Sequence, residues 1–158
     1  MCEEKVFVRV IELPAVQMAR SGGGDLGAFD RWWSALAAQD KSSLFPKDFM
    51  WFNPHLNDFE WLYAIPEGLE DTGGYEVFDF PGGLYAVAAC KDEGAEIEKT
   101  NALIHAWVAQ SEIFAEAPQA SDAGARYDMG HVITPLNAQE TIGYHQMDLF
   151  VPIIYRNS

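Results

Sequence analysis

A repeated order of predicted elements limits the folds open to this chain more than its composition does. A strand, a helix and two further strands occur in that order, and the same order begins again about seventy residues later. The residues of the two halves, about 5–66 and 75–154, do not match, so only the pattern repeats. Two such modules predict an α+β fold in which one antiparallel sheet carries two helices.

The predicted elements follow from the spacing of apolar residues and from the turn-forming residues between them. Valines alternate with other side chains in residues 5–11, as in a strand, and Pro14 interrupts the pattern. Asp25 is a favourable N-cap residue for the first helix. The first half is predicted to contain a strand at 5–11 that resumes at 15–20, a helix at 26–39 and strands at 49–53 and 60–65. The second half is predicted to contain an extended segment at 75–80, a strand at 84–90, a helix at 95–115 and strands at 126–133 and 146–154.

Composition and charge exclude several classes of protein. A length of 158 residues suits a single domain, 1–158, and a hydrophobic content of 49% is too high for a disordered chain. No apolar run approaches the ~20 residues of a membrane span, and the N-terminus lacks a signal-peptide pattern, so we expect a cytoplasmic protein with no membrane partner. In that compartment Cys2 and Cys90 are expected to be reduced. A net charge of −14 disfavours direct nucleic-acid binding.

The sequence gives little support for a cofactor or a metal ion. Residues 22–27 formally fit the G-x-G-x-x-G fingerprint of dinucleotide-binding proteins, between a strand and a helix. Asp25 would place a negative charge where the pyrophosphate must lie, and a flexible turn before a capped helix explains the same residues. No two histidines have helical i, i+4 spacing, and no Cys-x-x-Cys occurs. We therefore predict neither a cofactor nor a metal site.

Aromatic side chains on several predicted strands are the most informative feature for function. On the strand at 60–65, alternation places Trp61 and Tyr63 on one face. Tryptophan and tyrosine combine a broad apolar ring with a polar tip, which suits a pocket for a flat or cationic molecule. The same rings could instead simply fill the core. If they form a pocket, the candidate ligand-binding residues are Trp51, Trp61, Tyr63, Tyr85, Trp107, Tyr127, Asp148 and Phe150.

The last predicted strand carries an acid among apolar residues. Asp148 and Phe150 share one face of this strand, whereas Met147 and Leu149 belong to the opposite face, which is typical of a core. A carboxylate in such a place is costly unless it is paired. We expect Asp148 to be at least partly buried and to favour cationic or hydrogen-bond-donating ligands; the alternative is that it points to solvent.

Several segments together resemble a known family. They are residues 10–16, the glycine-rich turn into the first helix, residues 80–87, the second helix with Trp107, and residues 147–153. They are similar to GyrI-like small-molecule-binding domains, which also form the effector-binding domains of some AraC-type and MerR-type transcription activators. The resemblance covers nearly the whole chain. It implies two modules around a central aromatic pocket whose acid comes from the last strand, here Asp148, where many members have a glutamate.

The resemblance leaves the activity open between binding and catalysis. The leading hypothesis is a small-molecule-binding domain, either stand-alone or the effector-sensing part of a transcription regulator, because the sequence contains no helix-turn-helix segment. Some stand-alone relatives hydrolyse reactive small molecules with a glutamate and a tyrosine. The alternative is therefore a hydrolase with Asp148 as base and Tyr63, Tyr85 or Tyr127 as its partner. A third hypothesis, an interaction protein, rests on the acidic surface alone.

Overall fold

A computed structural model describes residues 6–37, 47–53, 56–66, 68–118 and 127–156. Within them, the strands and the two long helices follow the order predicted from the sequence, and the second half has a short strand and a short helix in addition. The elements are β1 (Arg9–Leu13), β2 (Val16–Arg20), α1 (Leu26–Ala37), β3 (Asp48–Asn53), β4 (Asp58–Ala64), β5 (Glu76–Phe80), β6 (Gly83–Lys91), α2 (Gly94–Gln110), β7 (Phe114–Glu116), β8 (Met129–Val132), α3 (Ala138–Thr141) and β9 (Gln146–Tyr155).

The strands pair in an order that is symmetric about its centre. The order is β1-β6-β9-β8-β3-β4-β2-β5, every pairing is antiparallel, and β7 pairs with β9 beside this path. β3 and β8 meet in the middle, where Met50 pairs with Gly130. The predicted α+β class and the antiparallel sheet with its two long helices are confirmed.

The two halves interlock through their first strands. β1 of the first half pairs with β6 of the second, and β5 of the second half pairs with β2 of the first. The two outermost strands therefore correspond to each other, as do β2 and β6, β4 and β9, and β3 and β8. This pseudo-two-fold relation makes positions in the two halves directly comparable.

Both long helices cover the same face of the sheet. α1 packs through Phe29 on Ala19 and Tyr63, and α2 packs through Ile104 and Val108 on the second half. The apolar residues of β9 that were predicted to face the core lie under α2. The opposite face, called here the inner face, carries a separate buried cluster: Leu13, Met18, Phe49, Trp51, Leu62, Phe78, Phe80, Tyr85, Val87, Tyr127, Met129 and Phe150.

The inner face is buried because the sheet is strongly curved. The rings of Phe49 on β3 and Phe80 on β5 lie 6.4 Å apart, although β4 and β2 separate these strands. Three strand spacings in a flat sheet would span about 14 Å. Phe80 also lies 6.4 Å from Tyr85 on β6, near the other end of the strand order. The aromatic residues of the two halves thus meet in one interior.

The ends of the helices reflect local hydrogen bonds. Asp25 Oδ1 accepts a hydrogen bond from the Ala28 amide at 3.0 Å, as an N-cap residue does. The predicted end of this helix at residue 39 lies outside the described residues. α2 ends at Gln110 rather than 115, because the Ser111 hydroxyl accepts hydrogen bonds from the amides of Ile113 and Phe114. In the described part of the chain no helix is both long and apolar enough to cross a membrane.

Candidate functional site

The eight side chains predicted from the sequence to bind a ligand lie on two sides of the sheet. On the inner side the structure brings together Trp51, Tyr85, Tyr127, Asp148 and Phe150. Trp61 and Tyr63 share a face, as strand alternation predicts, but it is the face under α1. Trp107 belongs to α2 itself and packs against the cluster between that helix and the sheet. The eight residues therefore do not line one common cavity, and contact of each with a ligand remains a prediction.

Tyr63 is fixed beneath α1. Its ring stacks on Phe29 with centroids 4.6 Å apart, and its hydroxyl donates a hydrogen bond to Asp30 Oδ1 at 2.9 Å. Burial and this hydrogen bond raise the pKa of Tyr63 well above its ordinary value. A phenol that resists ionisation and bonds to a helix residue connects α1 to the sheet.

A buried carboxylate that sequence reasoning missed occupies the inner face of the first half. Glu60 on β4 is only 2% exposed. Its Oε1 accepts hydrogen bonds from Trp51 Nε1 at 3.0 Å and Asn53 Nδ2 at 3.3 Å, and its Oε2 accepts one from the Gly22 amide at 3.1 Å. Arg20 Nε lies 3.4 Å from Oε1. The glycine-rich turn thus presents a backbone donor to an acid.

A cleft of about 280 Å³ opens beside this carboxylate and is called here the Glu60 cleft. The guanidinium of Arg20 lies 4.6 Å above the centre of the Phe78 ring and 3.9 Å from Glu76. One arginine thus faces two acids, which favours a cation or a hydrogen-bond donor in the cleft. The cleft is lined by Arg20, Ser21, Gly22, Asn53, Leu56, Glu60, Gly74, Tyr75 and Glu76.

Asp148 lies on the inner face of the second half and is buried, as expected. Its carboxylate forms an ion pair with Arg9, so the protein itself supplies a cationic partner. His131 is the cross-strand neighbour of Asp148, and its Nδ1 donates to the Asp48 carbonyl at 2.8 Å. Burial disfavours the charged imidazole, but hydrogen bonds and charge from Asp48, together with the charge of Asp148, outweigh it and raise the pKa of His131.

Glu60 and Asp148 occupy equivalent positions of the pseudo-two-fold. The central pair of Met50 and Gly130 makes Trp51 the counterpart of His131. Trp51 pairs with Glu60, and His131 pairs with Asp148. A signal for Glu60 is therefore present in the sequence, since an acid precedes an inward apolar residue by two positions in the last strand of each half.

Two further site types were considered in the sequence, a metal site and a dinucleotide site. Within the part of the chain that the structure describes, no group of three or more His, Cys, Asp or Glu side chains could hold a metal ion. The strand before the glycine-rich turn, β2, pairs with β4 and β5, both antiparallel to it, whereas the dinucleotide fingerprint belongs to a unit of parallel strands. The chemistry available in the Glu60 cleft is that of charge pairing, hydrogen bonding and aromatic contact.

No family model and no curated protein matches the sequence. Solved structures are similar over nearly the whole chain. The EcmrR C-terminal domain has a TM-score of 0.58 at 8% identity, covering 94% of this chain and 98% of that one. EcmrR in its DNA complex gives 0.59 at 10% identity, and the match covers 93% of this chain and 57% of that longer one.

A hydrolase from Listeria innocua is similar to the same extent. Its TM-score is 0.58 at 11% identity, and the match covers 96% of this chain and 94% of that one. Identities this low carry information about the fold alone. The chain therefore shares its fold with the EcmrR C-terminal domain and with this hydrolase.

Proposed function

We propose that this chain is a small-molecule-binding domain whose ligand enters the Glu60 cleft. The observation that carries the proposal is a buried carboxylate, set among the aromatic rings of an enclosed face, that borders an open cleft. Within the described residues Glu60 Oε2 accepts one hydrogen bond, and a carboxylate oxygen can accept two. A ligand with a positively charged or N–H group matches this acceptor and the excess of acids.

The proposed role is that of an effector-sensing domain. The resemblance to GyrI-like domains and the fold shared with a domain of EcmrR, a protein known in a DNA complex, both support it. A net charge of −14 disfavours direct binding of nucleic acid by the chain itself. Ligand binding would then act by favouring one conformation of a larger regulator over another.

Hydrolysis is the second candidate, because Tyr75 lines the same cleft as Glu60. An acid and a tyrosine in one pocket are the groups that this reaction would use, and one structural neighbour is a hydrolase. Binding is the better supported function, since hydrogen bonds from Trp51, Asn53 and the Gly22 amide, together with Arg20, hold the Glu60 carboxylate in place. A carboxylate fixed in this way suits recognition of a ligand charge.

The binding proposal is tested with thioflavin T, a planar cation, and with its uncharged counterpart that lacks the ring N-methyl group. Replacing Glu76→Gln should weaken thioflavin T binding about three- to fivefold and leave the uncharged compound unaffected, because the lost charge is exposed and screened. Asp79→Asn is the matched control, since it removes a carboxylate from the same strand on the opposite face.

Two outcomes would contradict this assignment. Equal losses of affinity for the two compounds, or an equal loss in Asp79→Asn, would exclude an electrostatic role of the cleft.

The hydrolase candidate is tested separately with p-nitrophenyl acetate. Turnover that is abolished in Tyr75→Phe would favour catalysis over binding, because this change removes only the hydroxyl group.

A further inference from the structure

The pseudo-two-fold relation gives residues of the Glu60 cleft counterparts in the second half. In the first half, Glu76 on the outermost strand β5 pairs with Arg20 on β2. The equivalent pair in the second half is Arg9 on β1 with Val87 on β6. The outermost strand thus carries an acid at one end of the inner face and a cation at the other.

The two arginines differ in how firmly they are held. Arg20 has a side chain that is 14% exposed, stacks over Phe78 and lies against two acids. Arg9 has a side chain that is 43% exposed, although the carboxylate it pairs with is buried. Its guanidinium reaches Asp148 across β6, where Ala89, the cross-strand neighbour of Asp148, is exposed. Arg9 therefore approaches a buried acid from the solvent side.

We propose that Arg9 is an internal cation that occupies Asp148 in place of a ligand cation and thereby determines the cation selectivity of the second half. Asp148 needs a positive partner because a buried unpaired carboxylate is costly. Arg9 can leave at low cost, because its exposed side chain regains water when it is displaced. The inference extends the proposed function, on which it rests, from the Glu60 cleft to the equivalent position of the other half.

The test compares Arg9→Met with Lys91→Met in thioflavin T titrations of the full chain. Both changes remove one positive charge from the same end of the inner face, but Lys91 lies over the Tyr144 ring and not on Asp148. Arg9→Met should bind the dye about tenfold more tightly than the parent, and Lys91→Met should change its affinity less than about twofold. The uncharged counterpart should bind all three proteins alike.

Second-site variants assign the gain to Asp148. Adding Asp148→Asn to Arg9→Met should abolish the gain in affinity, whereas adding Glu76→Gln, in the other cleft, should preserve it. Because Arg9→Met leaves a buried acid without its cation, the thermal midpoint is measured with and without dye. The dye should raise the midpoint of Arg9→Met more than that of the parent.

The possible failures are distinguishable. Dye binding by the parent with no increase in Arg9→Met, or an equal increase in Lys91→Met, would overturn the role of Arg9 and leave the Glu60 cleft standing. A gain that survives Asp148→Asn would overturn it as well. If no variant binds the dye, both the role of Arg9 and the cation preference proposed for the cleft are wrong.

Discussion

The two ends of the inner face place a carboxylate at the same register position and partner it in opposite ways. Glu60 is enclosed by Trp51, Asn53 and a well-buried arginine, and a cleft opens beside it. Asp148 instead receives a half-exposed arginine from an outermost strand. Both acids are buried, so the difference lies in the burial of their arginines. The largely buried Arg20 fixes Glu60, whereas the half-exposed Arg9 is a partner that a ligand could replace.

The largest expected difference between the two carboxylates is in their contribution to the free energy of unfolding. Glu60→Gln leaves Arg20 with no buried counter-charge and sets an amide group against donors, which should cost about 3–5 kcal/mol. Asp148→Asn should cost only about 1–2 kcal/mol, because Arg9 can be solvated. Urea unfolding of the two variants beside the parent measures the difference. Equal losses would show that exposure of the partner does not govern the contribution of the acid.

The next largest effect on stability is expected at the turn between β5 and β6, next to the point where the two halves exchange strands. Gly82 has a φ of +67°, and a Cβ there would lie 2.5 Å from the Leu13 carbonyl oxygen. Gly82→Ala should therefore destabilise the protein by about 3 kcal/mol, combining left-handed strain with a backbone clash. Gly143→Ala is the control, since Gly143 has a φ of +85° with no atom within 4 Å, and it should cost about 1 kcal/mol. Similar losses of thermal stability in Gly82→Ala and Gly143→Ala would show that the backbone around Gly82 moves to accommodate the added methyl group.

Sequence reasoning succeeded where the information is local. Alternation along one strand places Asp148 and Phe150 opposite Leu149, because side chains of a strand alternate between faces whatever the strand pairs with. The exchange of β1 and β5 between the halves is not local, since it depends on which edges meet after the sheet curves. The repeated element order is compatible with either arrangement.

The sequence also does not predict which side of the sheet forms the candidate site. Both faces of β4 are covered, because α1 packs on one and the curved sheet encloses the other. Trp and Tyr occur on both faces, so residue type alone does not show that Trp61 and Tyr63 lie under a helix. Glu60 was the informative residue, since an acid on a strand that is covered on both sides needs partners.

The smallest expected effect is a pH dependence of stability that arises from His131. His131 stands where the first half has Trp51, and Asp48 and Asp148 raise its pKa above the ordinary value of about 6.5. A raised folded-state pKa means that the charged imidazole stabilises the fold below pH ~6.5, and that this contribution is lost as the pH rises through the folded-state value. The parent should therefore lose its stability advantage over His131→Gln as the pH rises from about 6.5 through the folded-state pKa of His131.

Urea unfolding at a series of pH values measures this advantage, and Asp48→Asn identifies its source. Asp48 contributes a backbone and a side-chain acceptor to His131, and Asn retains the first while removing the charge. The pH dependence that separates the parent from His131→Gln should therefore be weaker in the Asp48→Asn background. A dependence of unchanged size there would transfer the effect to Asp148, the counterpart of Glu60. It would also tie the pH response to the same carboxylate that Arg9 occupies.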